Sequence, residues 1–204
     1  MPTTTDIMLD IETLDTGPTS VVLSIGLVGF NVETKDINTE MYFKPNINSQ
    51  SDVGRTMSTD TLAWWIKQNN AALIEAFSNE NRVSPQWALS EIDSYLYELD
   101  LNNTRFWAKS ITFDYVIMRS FYETFGAEFK IPFWNMQEMR TLKETIRSCM
   151  GQTPKIIDFE GDVHNALADA VHQSQEVIAW WHQIKDERSR VQSENKEAFK
   201  AAVS

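Results

Sequence analysis

The chain has 204 residues, 42% of them apolar, with seven Trp, eleven Phe and a formal net charge of −11. That is enough for one full α/β core, and it is too apolar for a disordered chain. Its single cysteine excludes an internal disulfide or a cysteine-built zinc site, and its acidity excludes a protein that coats nucleic acid by charge alone.

Met1 to Asp6 has neither the basic start nor the apolar stretch of a leader, and no later run approaches the roughly 18 residues of a membrane span. A cytoplasmic protein with no membrane contact is expected. Ile7 to Glu12 reads as a first strand. Val21 to Phe30, β-branched and apolar, reads as a long central one. A polar turn over Asn31 to Asp36 leads to a third strand, Ile37 to Phe43, that Pro45 ends. Residues 44–57 read as a loop. Ser58 or Thr59 then caps a helix over Thr61 to Phe77, in two pieces around Asn69-Asn70. Ser84-Pro85 opens a helix to about Leu99, with Trp87, Leu89, Ile92, Tyr95 and Leu96 at core-facing spacing.

Arg105 to Ala108 is a short strand, followed by a helix from Thr112 to Phe125 with Gly126 at its end. Pro132 to Trp134 reads as another short strand, and Glu138 to Met150 as a helix. A long helix is expected to begin near Asp162, which would cap it, and to run past Trp181. Strands first, then helices interleaved with short strands, describe an α/β domain with a mixed sheet. Residues 1–184 form that domain, and residues 185–204 are a charged extension, either helical or frayed.

Chemistry concentrates in three segments: Asp10-Ile11-Glu12, Phe113-Asp114 and His164 to Asp169. Residues two apart on a strand share a face, so Asp10 and Glu12 point the same way from an apolar element. Neighbouring buried anions repel unless something positive sits between them, and a divalent metal meets that need. Asp114 lies early in a helix that follows a strand, where loops at the carboxyl ends of strands form the usual crevice of open α/β sheets. Taken alone, Asp114 reads as an ordinary acid at a helix start, and His164 with Asp169 as a surface pair. His172 and His182 read as structural or surface residues, and Trp87, Trp180 and Trp181 as core or interface. Cys149 has no basic neighbour to activate it.

In order and spacing, Asp-x-Glu, Phe-Asp and His-x4-Asp resemble the DEDDh exonucleases, ribonuclease H-like proteins that remove nucleotides from 3′ ends with two divalent metals. Trp64-Trp65 followed by Gln68, and Trp134-Asn135 followed by Arg140-Thr141, are similar to segments of the DexA-type phage exonucleases and related bacterial 3′–5′ exoribonucleases. The resemblance covers residue 6 to about residue 182. It departs before Asp114, where the segment reads Trp107-Ala108-Lys109-Ser110-Ile111-Thr112 and relatives often have glycine or asparagine.

The resemblance implies a ribonuclease H-like mixed sheet of about five strands flanked by helices, releasing 5′-mononucleotides from the 3′ end of single-stranded RNA or DNA. It implies two ions of Mg²⁺ or Mn²⁺, which suit oxygen ligands. Asp10 would bridge both, Glu12 and Asp169 would complete one, and Asp114 would hold the other. His164 would take the proton from the attacking water, and a helix N-terminus would favour its neutral form. Thr13, Leu14 and Phe113 would meet the terminal nucleotide, Trp64 or its neighbour Trp65 would stack on a base while one of the two packs in the core, and Arg140 would meet a phosphate or a site carboxylate. Relatives of this form often pair, so a homodimer is expected through the late Trp180-Trp181 helix and its extension. Two other readings stay open: a phosphodiesterase of small nucleotides, which suits the acidity better, and an exonuclease-like binding or accessory protein.

Overall fold

A ten-residue run with every side chain buried, β2 (Val22–Asn31), needs covered partners on both faces and both edges. It receives them from β1 (Asp6–Thr13) on one edge and β3 (Asp36–Pro45) on the other, both antiparallel. The computed structural model describes residues 3–162 and 164–203. The first two residues of the expected leader-free start, Met1 and Pro2, and the last of the tail, Ser204, lie outside them, as does Val163.

After the meander come α1 (Ile47–Asp52), α2 (Thr59–Trp65), α3 (Asn70–Phe77), β4 (Arg82–Val83) and α4 (Pro85–Tyr97). Then follow β5 (Arg105–Ala108), α5 (Ile111–Thr124), a 3₁₀ turn (Phe133–Asn135), β6 (Met136–Glu138), α6 (Met139–Met150) and α7 (Ala166–Val203). The sheet runs β4-β3-β2-β1-β5-β6, with β4, β5 and β6 parallel to their neighbours. This is the expected mixed α/β fold with one more strand, because two residues of β4 extend the edge beyond β3.

Three boundaries differ from the sequence reading. The loop over residues 44–57 holds α1, capped by Asn46, whose side chain accepts from the Ser49 amide. The strand expected at Pro132 to Trp134 is a 3₁₀ turn, and the ladder to β5 begins at Met136. The long helix starts at Ala166 and not near Asp162. Asn165 caps it, accepting from the amides of Leu167 and Ala168 at 3.0 Å each. The break at Asn69 is as expected, since its side chain caps α3.

Alternation along β1 divides the core. Ile7, Leu9 and Ile11 face α4 and α5, while Met8 faces α6 and α7 with Val28, Trp107, Val177 and Trp180. Leu14, Val21, Leu23 and Trp65 close a smaller cluster beneath α2 and α3. Trp87, expected in the core or at an interface, is not in the core: it is 49% exposed and meets Phe43 edge-on, at the margin of the apolar face of α4. Trp180 is buried as expected, and the His182 ring bonds the Val32 carbonyl at 2.8 Å. From residue 188 to 199, every residue of α7 is exposed. No described helix is long and apolar enough to cross a membrane.

One glycine decides where α7 begins. A Cβ built on Gly26, which pairs with Asp10 across β1 and β2, would lie 2.1 Å from the Ala166 carbonyl oxygen. Hydrogen at this position lets the first turn of α7 descend onto the sheet beside Asp10.

Candidate active site

The carboxyl ends of β1 and β5 and the starts of α5 and α7 converge on one open pocket of about 310 Å³. Its walls include Asp10, Glu12, Phe113, Asp114, Arg140, His164 and Asp169, together with Lys109, Ser110 and Gln173. The register of β1 against β2 shifts between Glu12 and Thr13, so the ladder ends in a bulge at the pocket's edge. Asp114 comes from the first turn of α5 and Asp169 from the first turn of α7. Ligand atoms of Glu12, His164 and Asp169 lie within 4.8 Å of one another.

Burial pushes all four carboxyls upward. Asp10 rises well above the usual carboxylate range, first because it is buried and then because Asp114, Glu12 and Asp169 surround it with like charge. Burial takes Asp114 up to about 7 despite the nearby backbone amides of Ser110 and Ile11. Glu12 and Asp169 are raised for the same first reason. Gln173 Nε2 donates to Asp10 Oδ1 at 2.7 Å, and the buried Gln173 Oε1 has no partner among the described residues. Four clustered carboxylates short of positive charge, with an orphaned oxygen beside them, form an all-oxygen donor set that fits Mg²⁺ or Mn²⁺.

His164 stands two residues before α7, in the left-handed region at φ +66. Histidine is among the few side chains enriched there. Its Nδ1 lies 3.6 Å from Glu12 Oε1, and its ring meets Trp64 edge-on at 4.9 Å between centroids. The expected effect of a helix N-terminus on this ring is reversed. Its bond to Glu12 outweighs everything else and raises its pKa.

A second, more apolar pocket of about 390 Å³ adjoins the first, sharing Ile11, Glu12 and Phe113. Thr13, Trp64 and Trp65 line it, with Asp15 and Asp60 at its polar side. The two tryptophans differ sharply. Trp65 is buried and donates from Nε1 to the Thr13 carbonyl, whereas Trp64 is 43% exposed. Leu14 does not reach either pocket. It is packed with Val21, Leu23 and Trp65, since the bulge after Glu12 turns it inward.

The 3′-5′ exoribonuclease Rv2179c-like domain family matches residues 5–181. The chain belongs to that family. No curated protein matches it. Among solved structures, cell-death related nuclease 4 (CRN-4) superposes with a TM-score of 0.60 at 14% identity, over 89% of this chain and 65% of its own. The nuclease domain of 3′hExo, a DEDDh family member bound to rAMP, gives 0.54 at 14% identity over 87% and 92%. E. coli exonuclease I in complex with a dT13 oligonucleotide gives 0.57 at 15% identity over 94% and 43%. The exoribonuclease domain thus shares the fold of these nucleases, while spanning less than two thirds of CRN-4 and under half of exonuclease I.

Three pocket features escaped the sequence reading. Gln173 follows Asp169 by one helical turn, so the i,i+4 spacing was a usable signal. Lys109 stood out only as a departure from relatives. Glu138 had no signal: its side chain accepts from the amides of Ile111 and Arg140, tying the starts of α5 and α6 together behind the pocket.

Proposed function

We propose that the chain removes 5′-mononucleotides from the 3′ end of single-stranded RNA, using two divalent ions held by Asp10, Glu12, Asp114 and Asp169. The observation that carries this reading is that one pocket gathers four carboxyls, Asp114 buried and the other three half-buried, all pushed upward and, among the described residues, none paired with a lysine or arginine. Bound there, Mg²⁺ or Mn²⁺ would offset that charge and polarise the attacking and leaving oxygens of the phosphodiester.

The side chains then divide the work. Asp10, on β1 and within electrostatic reach of the other three, would be suited to holding both ions, and Gln173 donates to it from α7. With the Glu12 charge offset, His164 loses the interaction that raises its pKa and becomes an acceptor for the proton of the attacking water. Trp64 offers its exposed face to the terminal base while Trp65 and Phe113 back the apolar pocket. Lys109 and Arg140 border the carboxylate pocket and suit the phosphate on the 5′ side of the scissile bond. A homodimer would use the exposed charged length of α7, and light scattering tests it.

The deciding experiment digests end-labelled single-stranded RNA and DNA with Mg²⁺, with Mn²⁺ and with chelator. Stepwise loss of 5′-mononucleotides from the 3′ end, abolished by chelator, is expected. Equal cleavage of a circular strand, or full turnover in excess chelator, would sink the reading.

A further inference from the structure

The molecule is strongly acidic, and several of its cations away from the site are held by acids or carbonyls. Lys44 lies 3.4 Å from Glu75, and Arg105 is bound to Asp6. Arg55 and Arg82 spend their donors chiefly on backbone carbonyls and a threonine hydroxyl. Lys185 pairs with Glu33, and Arg190 with Glu187 and Glu194. Among the described residues, the walls of the two adjoining pockets carry two cations, Lys109 and Arg140, both exposed.

The surroundings work against a longer strand. Asp15 and Asp60 stand at the polar side of the Trp64 pocket. On the far side of His164, the groove beside Asn165 is walled by Glu40, Glu160 and Asp162. Of the walls of these three pockets, only the Lys109–Arg140 side carries lysine or arginine. Nucleic acid is held chiefly by its phosphates, so the two cations in the pocket walls supply about two phosphate contacts there.

We propose that the site recognises only about the last three nucleotides of a strand, so that its substrates are short single-stranded oligonucleotides as readily as long RNA. This rests on the exonuclease reading above. Terminal stacking on Trp64, the carboxylate pocket and two phosphate contacts supply all the recognition. Further nucleotides add none and bring their charge toward an acidic surface. Long-range attraction of polyanions is correspondingly absent.

The test measures kcat/KM for removal of the 3′-terminal nucleotide from single-stranded RNAs of increasing length, at fixed Mg²⁺ and several monovalent salt concentrations. Values should plateau by about the trimer or tetramer, and the slope against log salt should be shallow, about −1.4 for two single-strand phosphate contacts at about 0.7 each. Lys109→Ala and Arg140→Ala should each lower kcat/KM roughly tenfold, equally on short and long strands, and flatten the slope by about 0.7. A rise of about tenfold or more between a tetramer and a strand of some two dozen nucleotides, with a slope several times steeper, would overturn the short footprint while leaving the exonuclease reading intact. No hydrolysis at any length would overturn both.

Discussion

Asp6 and Asp10 lie four residues apart on one face of β1, Asp6 fully buried and Asp10 half-buried, yet the protein treats them in opposite ways. Asp6 accepts from Arg105 Nε at 2.6 Å and Nη2 at 2.9 Å, from Trp107 Nε1 at 2.8 Å and from Thr5 Oγ1 at 2.7 Å. The Arg105 guanidinium in turn lies 4.7 Å from the ring centre of Trp181 on α7. Asp10 accepts from Gln173 and is otherwise surrounded by three acids. A carboxylate buried for architecture brings its counter-charge with it. One buried for chemistry leaves that place to something that arrives from outside.

That contrast sets the order of expected effects. Asp10→Ala should reduce nuclease activity by several orders of magnitude, yet the metal-free protein should be no less stable at neutral pH, since an unpaired buried charge is lost. A matching loss of thermal midpoint without metal would show that Asp10 is structural like Asp6. His164→Asn keeps the four carboxylates and should lose roughly 10² to 10⁴ in turnover. Calorimetry should still register Mn²⁺ binding, and a variant with normal turnover would remove His164 from the chemistry.

At the other end of the strand, Asp6→Asn should leave activity near normal and lower stability by about 2 to 3 kcal/mol. This is less than the roughly 3 to 5 kcal/mol of a fully buried pair, because Arg105 keeps part of its side chain in water. Urea unfolding would measure it, and an unchanged midpoint would deny the clasp its role. The smallest effect is one of pH. Folding raises the carboxyls of Asp10 and Asp114, so the folded chain holds protons that the unfolded chain has released. Without metal, their contribution to stability should therefore decline as pH rises from about 4, for Asp114 until about 7, and be regained on adding Mg²⁺ or Mn²⁺ at neutral pH. Thermal melts at pH 5 and pH 7.5, with and without metal, check the sign.

Much of this was legible from the chain. Alternation placed β1, an unbroken apolar run placed β2, and Asn69 and Ser84-Pro85 marked helix starts by the chemistry of their side chains. What escaped had no periodic signal to read. Two residues of β4 are too few to show a pattern, and α1 carries only one buried side chain, Gln50. Among the described residues, 151–162 and 164–165 form no helix or strand, and nothing in that stretch of sequence marks where α7 begins. Local sequence could not reveal the left-handed turn at His164, because the pocket holds it there. Trp87 shows the limit of helical spacing, which identifies a face but not how far the neighbouring layer extends over it. Leu14 shows how one bulge reverses the direction of every side chain after it.

The bare hydrogen of Gly26 carries a further consequence, for heredity. A change of this glycine to alanine would push the first turn of α7 off the sheet and take Asp169 and Gln173 away from Asp10. A descendant of this chain could therefore inherit every acid and the histidine intact and still be silent, through a position that never touches a substrate.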